Sequence, residues 1–217
     1  MRGERLNMSK IQEIATAVEN GKTKIVAGLV EEALAEGCDA KEILQVGMIE
    51  AMNVVGGKFQ RGDIFVPEML VAAKAMKKGV EVLKPQLAAA GTASLGKVVI
   101  GTVIGDLHDI GKNLVAMMIE SAGFEVKDLG VDVPVVKFVE AVENDPAVKI
   151  MAVSALLTTT MPAMKDTVDA LNASSARSRF KVLVGGAPIT QDFANQIGAD
   201  SYAPDAASAA QAAKALL

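Results

Sequence analysis

The chain of 217 residues holds one histidine, His108, within the run Gly105-Asp106-Leu107-His108-Asp109-Ile110-Gly111-Lys112-Asn113. An imidazole ligates a metal or moves a proton through whichever ring nitrogen its neighbours leave free. Asp106, two residues earlier, can accept a hydrogen bond from the other nitrogen and fix the ring. Gly111, three residues later, lets a ligand or another backbone come close. Asp109 and Ile110 fill the turn between them. The run follows directly on the apolar, β-branched stretch Lys97-Val98-Val99-Ile100-Gly101-Thr102-Val103-Ile104. The histidine therefore sits where a predicted strand ends and a helix begins. Ligands of open α/β sheets bind there, outside the carboxyl ends of the strands.

Several chemistries do not fit this run. A His-Asp pair also occurs in HD phosphohydrolases, but their metal centre takes several histidines on an all-helical fold, and this chain has one. Hard ions bound by carboxylates would have no need of the imidazole. No GxxxxGK[ST] or GxGxxG phosphate cradle is present. Ser154 lacks a nucleophile-elbow setting. It also stands where a phosphoacceptor receiver domain would need an aspartate.

The elements that must position His108 alternate from Lys97 onward. Predicted strands Lys97–Val103, Glu125–Leu129, Lys149–Ser154, Lys181–Val184 and a short one near Ser201-Tyr202 are each followed by a helix. These are Lys112–Ala122, Val135–Glu143, Pro162–Leu171, Gln191–Ile197 and Asp205–Leu217. Such alternation predicts a flavodoxin-like, Rossmann-type five-stranded parallel sheet. Its carboxyl edge collects Asp106, His108 and Gly111 from the first loop. The third adds Ser154, Leu156, Thr158, Thr159 and Thr160, and the fourth Gly185, Gly186 and Ala187. Together they describe a hydroxyl-lined, glycine-walled groove for an extended ligand, with one imidazole at its mouth. Ordinary uses exist for each residue as well. Thr160 can cap the following helix, Asp106 can cap the helix after strand one, Ser154 can satisfy a strand end, and Gly185-Gly186 can simply turn.

Before the alternation, residues 9–85 carry apolar positions at three- and four-residue spacing. Ile11, Ile14, Ala15 and Val18 lie on one stripe, and Ile25, Leu29, Val30, Ala33 and Leu34 on the next. Asp39 is placed to cap a helix that Gly56-Gly57 ends, and Pro67 opens another that Pro85 stops. The reading is a four-helix-bundle module over residues 1–86, a flexible linker over 87–96, and the α/β domain over 97–217.

Asp106-x-His108-x-x-Gly111, Ser154-x-Leu156 and Gly185-Gly186, in that order, resemble the DxHxxG, SxL and GG signature of cobalamin-binding domains. The helical half is similar to the cap module of methionine synthase and of the corrinoid proteins of anaerobic methyltransferase systems. That second likeness lies in Met52-Asn53-Val54-Val55-Gly56-Gly57-Lys58-Phe59 and Phe65-Val66-Pro67-Glu68-Met69-Leu70. The resemblance implies that His108 is the axial ligand to the cobalt of a cobalamin or related corrinoid, with Asp106 hydrogen-bonded behind it. In methionine synthase a serine six positions after the SxL serine completes the relay, and Thr160 holds that place here. Asp109, Ile110, Gly111, Ser154, Leu156, Thr158, Gly185, Gly186, Ala187, Tyr202 and Ala203 would line the cofactor site. Phe59 and Val66 would shield the upper face, where ordinary bundle core is the alternative.

The function so implied is a methyl carrier, non-catalytic alone. It serves a substrate-specific methyltransferase, then a second methyltransferase with a folate, pterin or thiol acceptor, and is kept active by a reductive activase. Two alternatives are a corrinoid-sensing regulatory module and the small subunit of an adenosylcobalamin mutase.

Composition agrees with such a protein. Hydrophobic residues are 51%, charged residues 22% and the net charge is −4, so a core is affordable and disorder is not expected. Aromatics are 3% and no basic cluster is visible, which argues against nucleic acid. The single cysteine, Cys38, excludes an internal disulfide and suits a reducing cytoplasm. The charged start without a long apolar run leads us to expect no secretory leader, and no apolar run nears the roughly 18 residues of a membrane span.

Overall fold

The structure is a computed structural model that describes residues 2–89 and 94–217, with side chains described for 9–87 and 94–217. Its chain divides into two compact units, Met1–Ala93 and Ser94–Leu217.

The first unit is helical. It comprises α1 (Arg2–Glu19), α2 (Thr23–Ala35), α3 (Ala40–Glu42), a π-helical segment (Ile43–Ile49), α4 (Glu50–Gln60) and α5 (Val66–Ala89). The run from α3 through α4 is continuous, so the expected third helix has a π-helical centre. Asp39 caps it as expected, its carboxylate accepting the Glu42 N–H at 3.2 Å. The core is built from Ile11, Ile14, Val18, Val26, Val30, Ile43, Met48, Met69, Met76 and Leu83, all buried. Ile25 is exposed, because α2 turns Val26, Val30 and Ala33 inward instead.

Two expected helix ends are corrected. Gly56-Gly57 does not end the third helix, which runs to Gln60. Each glycine costs about 1 kcal/mol in a helix, and burial of Val55 and Gly56 holds the turns that carry them. Pro85 does not stop α5, which continues to Ala89. Proline's fixed φ is itself helical, and fully buried Leu83 anchors the preceding turn. The expected linker is therefore helical over residues 87–89, and its residues 90–93 lie outside the described ones.

The second unit is the expected parallel sheet, in the order β2-β1-β3-β4-β5. Its strands are β1 (Lys97–Thr102), β2 (Glu125–Asp128), β3 (Val148–Ser154), β4 (Lys181–Gly185) and β5 (Ser201–Ala203). The helices are α6 (Ile110–Ser121), α7 (Val135–Glu143), α8 (Met161–Ala173), α9 (Gln191–Ile197) and α10 (Ala206–Ala215). β1 and β3 are buried almost throughout, as strands covered on both faces must be. One core layer packs Phe138, Val142, Met164, Val168 and Leu171 against Val99, Met151, Val153, Val182 and Val184. Strand order reverses between β1 and β3, which opens a crevice at their carboxyl ends. Register aligns Thr102, Ser154, Gly185 and Ala203 in one row across that edge. No helix among the described residues is long and apolar enough to cross a membrane.

Lys112, in the first turn of α6, is buried although charged. Its ammonium donates to Asp128 at the end of β2, and to Asn113 Oδ1 at 2.7 Å. A buried cation left without its partner is destabilising, whereas an apolar replacement of the same bulk is nearly neutral. Asp128→Ala should therefore lower stability by about 1–3 kcal/mol, a range discounted because the Asp128 side chain is 41% exposed. Lys112→Met should cost less. Urea unfolding of the two variants checks the order, and the reverse order would contradict it.

Candidate functional site

The site begins where β1 stops. Gly105 takes φ +80°, a left-handed turn open to glycine, and the Asp106 N–H donates back to the Val103 carbonyl at 3.1 Å. This turn points the Asp106 side chain inward, where it is fully buried. A buried carboxylate is costly unless its oxygens are satisfied, and here both are. Oδ1 accepts the His108 N–H at 3.1 Å and lies 2.7 Å from His108 Nδ1. Oδ2 accepts the Leu156 N–H at 2.7 Å and lies 2.8 Å from the Thr160 hydroxyl. Burial alone would push this carboxyl up. The bonds from Leu156, the His108 ring and backbone, and Thr160 outweigh burial and hold it well below the usual carboxylate range.

Because Asp106 is an ionised acceptor, His108 Nδ1 is the nitrogen that carries the proton and donates. In the neutral ring, Nε2 is left with its lone pair and no partner among the described residues. The His108 side chain is 49% exposed. Beside it Leu107 and Ile110 are 72% and 83% exposed. The arrangement is a tautomer-locked imidazole set in an apolar collar. The Thr102 hydroxyl fixes the loop from below by donating to the His108 carbonyl at 2.9 Å.

Thr160 stands at the head of α8, but its hydroxyl makes no cap. It lies between Asp106 Oδ2 and the Leu157 carbonyl, at 2.8 and 2.9 Å. Asp106 likewise does not cap α6, whose N-cap residue is Asp109. The relay geometry of Thr160, Asp106 and His108 is thus assembled across the β1 and β3 loops.

The remaining predicted residues take their places along the same edge. Ser154 ends β3, half-buried, and Leu156 and Thr158 are exposed beyond it. Asp109, Ile110 and Gly111 are exposed at the start of α6, and no atom lies within 4 Å of a Cβ built on Gly111. Gly185 and Gly186 leave β4, with Ala187 exposed after them, and half-buried Tyr202 and buried Ala203 end the sheet. Gly186 has φ +132°, and a Cβ there would stand 1.8 Å from the Ala155 carbonyl oxygen. Phe59 is half-buried in α4, and Val66, 38% exposed, opens α5, both in the helical unit.

Sequence reasoning missed Thr102, Leu157 and Asp132. Thr102 is a polar residue at the buried end of an apolar strand, and that was its signal. Leu157 acts through its backbone, which leaves no trace in residue type. Asp132 follows β2 and donates its N–H to the Asp106 carbonyl at 2.9 Å. Its signal was an acidic residue in the loop beside the histidine loop.

The donor set fits a metal held by its own macrocycle. Among the described residues no group of three or more His, Cys, Asp or Glu side chains could hold a bare metal ion. A single imidazole with a carboxylate behind it is what one axial position of a macrocyclic metal takes. The exposed leucine and isoleucine beside it suit an apolar ring face.

Two family models match the chain, each described as a B12 binding domain, over residues 96–213 and 10–84. The dimethylamine corrinoid protein 3 of Methanosarcina acetivorans is 45% identical over 207 residues, 95% of this chain and 96% of that protein. A cobalamin-binding protein from Desulfitobacterium hafniense DCB-2 has a similar crystal structure. It is 32% identical with TM-score 0.81, over 95% of this chain and 98% of that one. A chain of the methanol:cobalamin methyltransferase complex MtaBC from Methanosarcina barkeri is also 32% identical. Its TM-score is 0.83, over 96% of this chain and 79% of that one.

Two expectations follow from this geometry. Gly186→Ala should destabilise the protein by about 3 kcal/mol or more, since a strained backbone adds to a backbone clash, and thermal unfolding measures it. Asp106 contributes stability that is complete above the ordinary aspartate value near 4 and is lost as pH falls through and below it. Asp106→Asn should therefore cost about 1–3 kcal/mol at pH 7, with the gap to wild type closing below about pH 4. Urea unfolding across pH would contradict this if the gap were absent at neutral pH or grew in acid.

Proposed function

The chain belongs to the B12-binding family, and from that membership we propose that it is the corrinoid-bearing methyl carrier of a methyltransferase system. The observation that carries this reading is the His108 imidazole. Its Nδ1 is spent on Asp106, and its Nε2, with no partner among the described residues, stands on the loop at the carboxyl edge of the sheet.

His108 would ligate the corrinoid cobalt from below, through Nε2. The cobalt, when bound, supplies the chemistry of taking up a methyl group and giving it away. A proton on Nε2 would occupy the lone pair that ligation needs, while the ionised Asp106 keeps its hold on Nδ1. Thr160 donates to Asp106 and sets how strongly the carboxylate holds the ring. Ser154, Leu156, Thr158, Gly185, Gly186, Ala187, Tyr202 and Ala203 would line the groove for the cofactor's tail. Gly111, Asp109 and Ile110 would flank the ring, and Phe59 and Val66 would shield the methyl-bearing side.

The partners of such a carrier are a substrate-specific methyltransferase and an acceptor methyltransferase using a folate, pterin or thiol. A reductive activase restores the carrier when the cobalt is oxidised. The names of the relatives, after dimethylamine and methanol, support a small methylated donor, and the closer sequence relative favours a methylated amine. A cytoplasmic setting suits this reduced chemistry.

Reconstitution with cobalamin tests the reading. Wild type should bind about one cobalamin per chain and show the absorption of imidazole-ligated cobalt, and His108→Ala should lose that signature. A protein that stays colourless, or a spectrum unchanged by His108→Ala, would overturn it.

A further inference from the structure

Asp132 is the one non-glycine with positive φ among the described residues, at +52°. It follows β2, outside the three loops that carry the family signature. Its carboxylate Oδ1 accepts the Gly105 N–H at 2.7 Å. Its own N–H donates to the Asp106 carbonyl at 2.9 Å. The two bonds bracket Gly105 and Asp106 from both ends. The segment is itself held to β1, since the Val133 N–H donates to Thr102 at 3.0 Å and Val133 bridges Val103. Asp106 is thus gripped twice. Its side chain is fixed by His108 and the β3 loop, and its main chain by Asp132.

The residue type agrees with this use. A left-handed backbone is easiest for glycine, and among other residues asparagine and aspartate adopt it most readily. Glycine would satisfy the turn alone. An acceptor side chain also takes the Gly105 N–H, at the left-handed hinge that aims Asp106 inward. Without that acceptor the hinge keeps the Asp106 N–H bond to Val103 and the Asp132 N–H bond to Asp106, and loses the bond at Gly105. The turn that sets where Asp106 and the ring it orients stand is then less tightly defined.

We propose that Asp132 is a positioning residue that clamps the Gly105-Asp106 turn so that His108 is held at the reach and angle of an axial cobalt ligand. This rests on the proposed ligation by His108.

The experiment loads wild type, Asp132→Asn, Asp132→Gly and His108→Ala with cobalamin at one fixed pH. It reads the ratio of imidazole-ligated to unligated absorption, with the melting temperature of each cofactor-free protein alongside. Asparagine tolerates the turn and keeps an oxygen acceptor, so Asp132→Asn should stay within about twofold of wild type. Glycine keeps the turn and loses the acceptor. Asp132→Gly should lower the ligated ratio by about tenfold, the scale of one hydrogen bond to a charged group, with its melting temperature close to wild type. An unchanged ratio in Asp132→Gly, while His108→Ala abolishes ligation, would overturn the clamp and leave the axial ligand standing. A melting temperature that collapses together with the ratio would also overturn it, since Asp132 would then maintain the fold rather than aim the ring. No difference between wild type and His108→Ala would overturn ligation by His108 and the clamp with it.

Discussion

A fully buried carboxylate must be compensated on every side, and Asp106 is the point about which the α/β unit is organised. Its partners come from separate stretches of chain. His108 gives a backbone and a ring donor, Leu156 a backbone donor from the β3 loop, and Thr160 a hydroxyl from the head of α8. The Leu156 and Thr160 bonds also tie the β1 and β3 loops together. The charge that orients the imidazole is therefore the same charge that closes the carboxyl edge of the sheet. Removing it would take a partner from the buried Thr160 hydroxyl and from the part-buried His108 and Leu156 donors, which ties the chemistry of the site to the stability of the unit.

The sheet order explains why these donors can meet. β1 and β3 are neighbours although α6, β2 and α7 separate them in sequence. Their following loops leave the same edge side by side, and Val103 continues the pairing by donating to the Ser154 carbonyl at 3.0 Å. The switch point thus brings Asp106 within reach of residues 50 and more positions away. β4 and β5 extend the edge through Gly185 and Ala203, and at Gly186 the backbone comes so close to Ala155 that no side chain fits. The result is a sheet edge lined closely by backbone, with the imidazole on the loop that leaves β1.

Much of this was legible in the sequence, for physical reasons that differ by element. The sheet was readable because buried parallel strands are continuous β-branched runs, and β1 to β4 fall within a residue or two of expectation at either end. Asp106 and His108 stood out because their types are chemically specific and two residues apart in one loop, whereas Thr160 was picked out by the resemblance, its residue type alone allowing a helix cap. Helix ends were less legible. Gly56-Gly57 and Pro85 are local stop signals, yet burial of Val55 and Leu83 carries the helices past them. The π-helical stretch Ile43–Ile49 leaves no mark in residue type. Leu157 escaped because its donor and acceptor are backbone atoms. Asp132 escaped because its meaning depends on φ and on a neighbouring loop, neither of which sequence spacing encodes.

Since the chain has one histidine, nitrogen-15 histidine labels a single imidazole. Electron paramagnetic resonance of the protein loaded with unlabelled cobalamin, in its paramagnetic Co(II) form, therefore reads the axial nitrogen without ambiguity. Ligation by His108 requires that labelling convert the three-line nitrogen splitting of each cobalt line into a two-line splitting. A three-line pattern that survives labelling would mean that the nitrogen belongs to the cofactor's own base, and would contradict the axial role of His108.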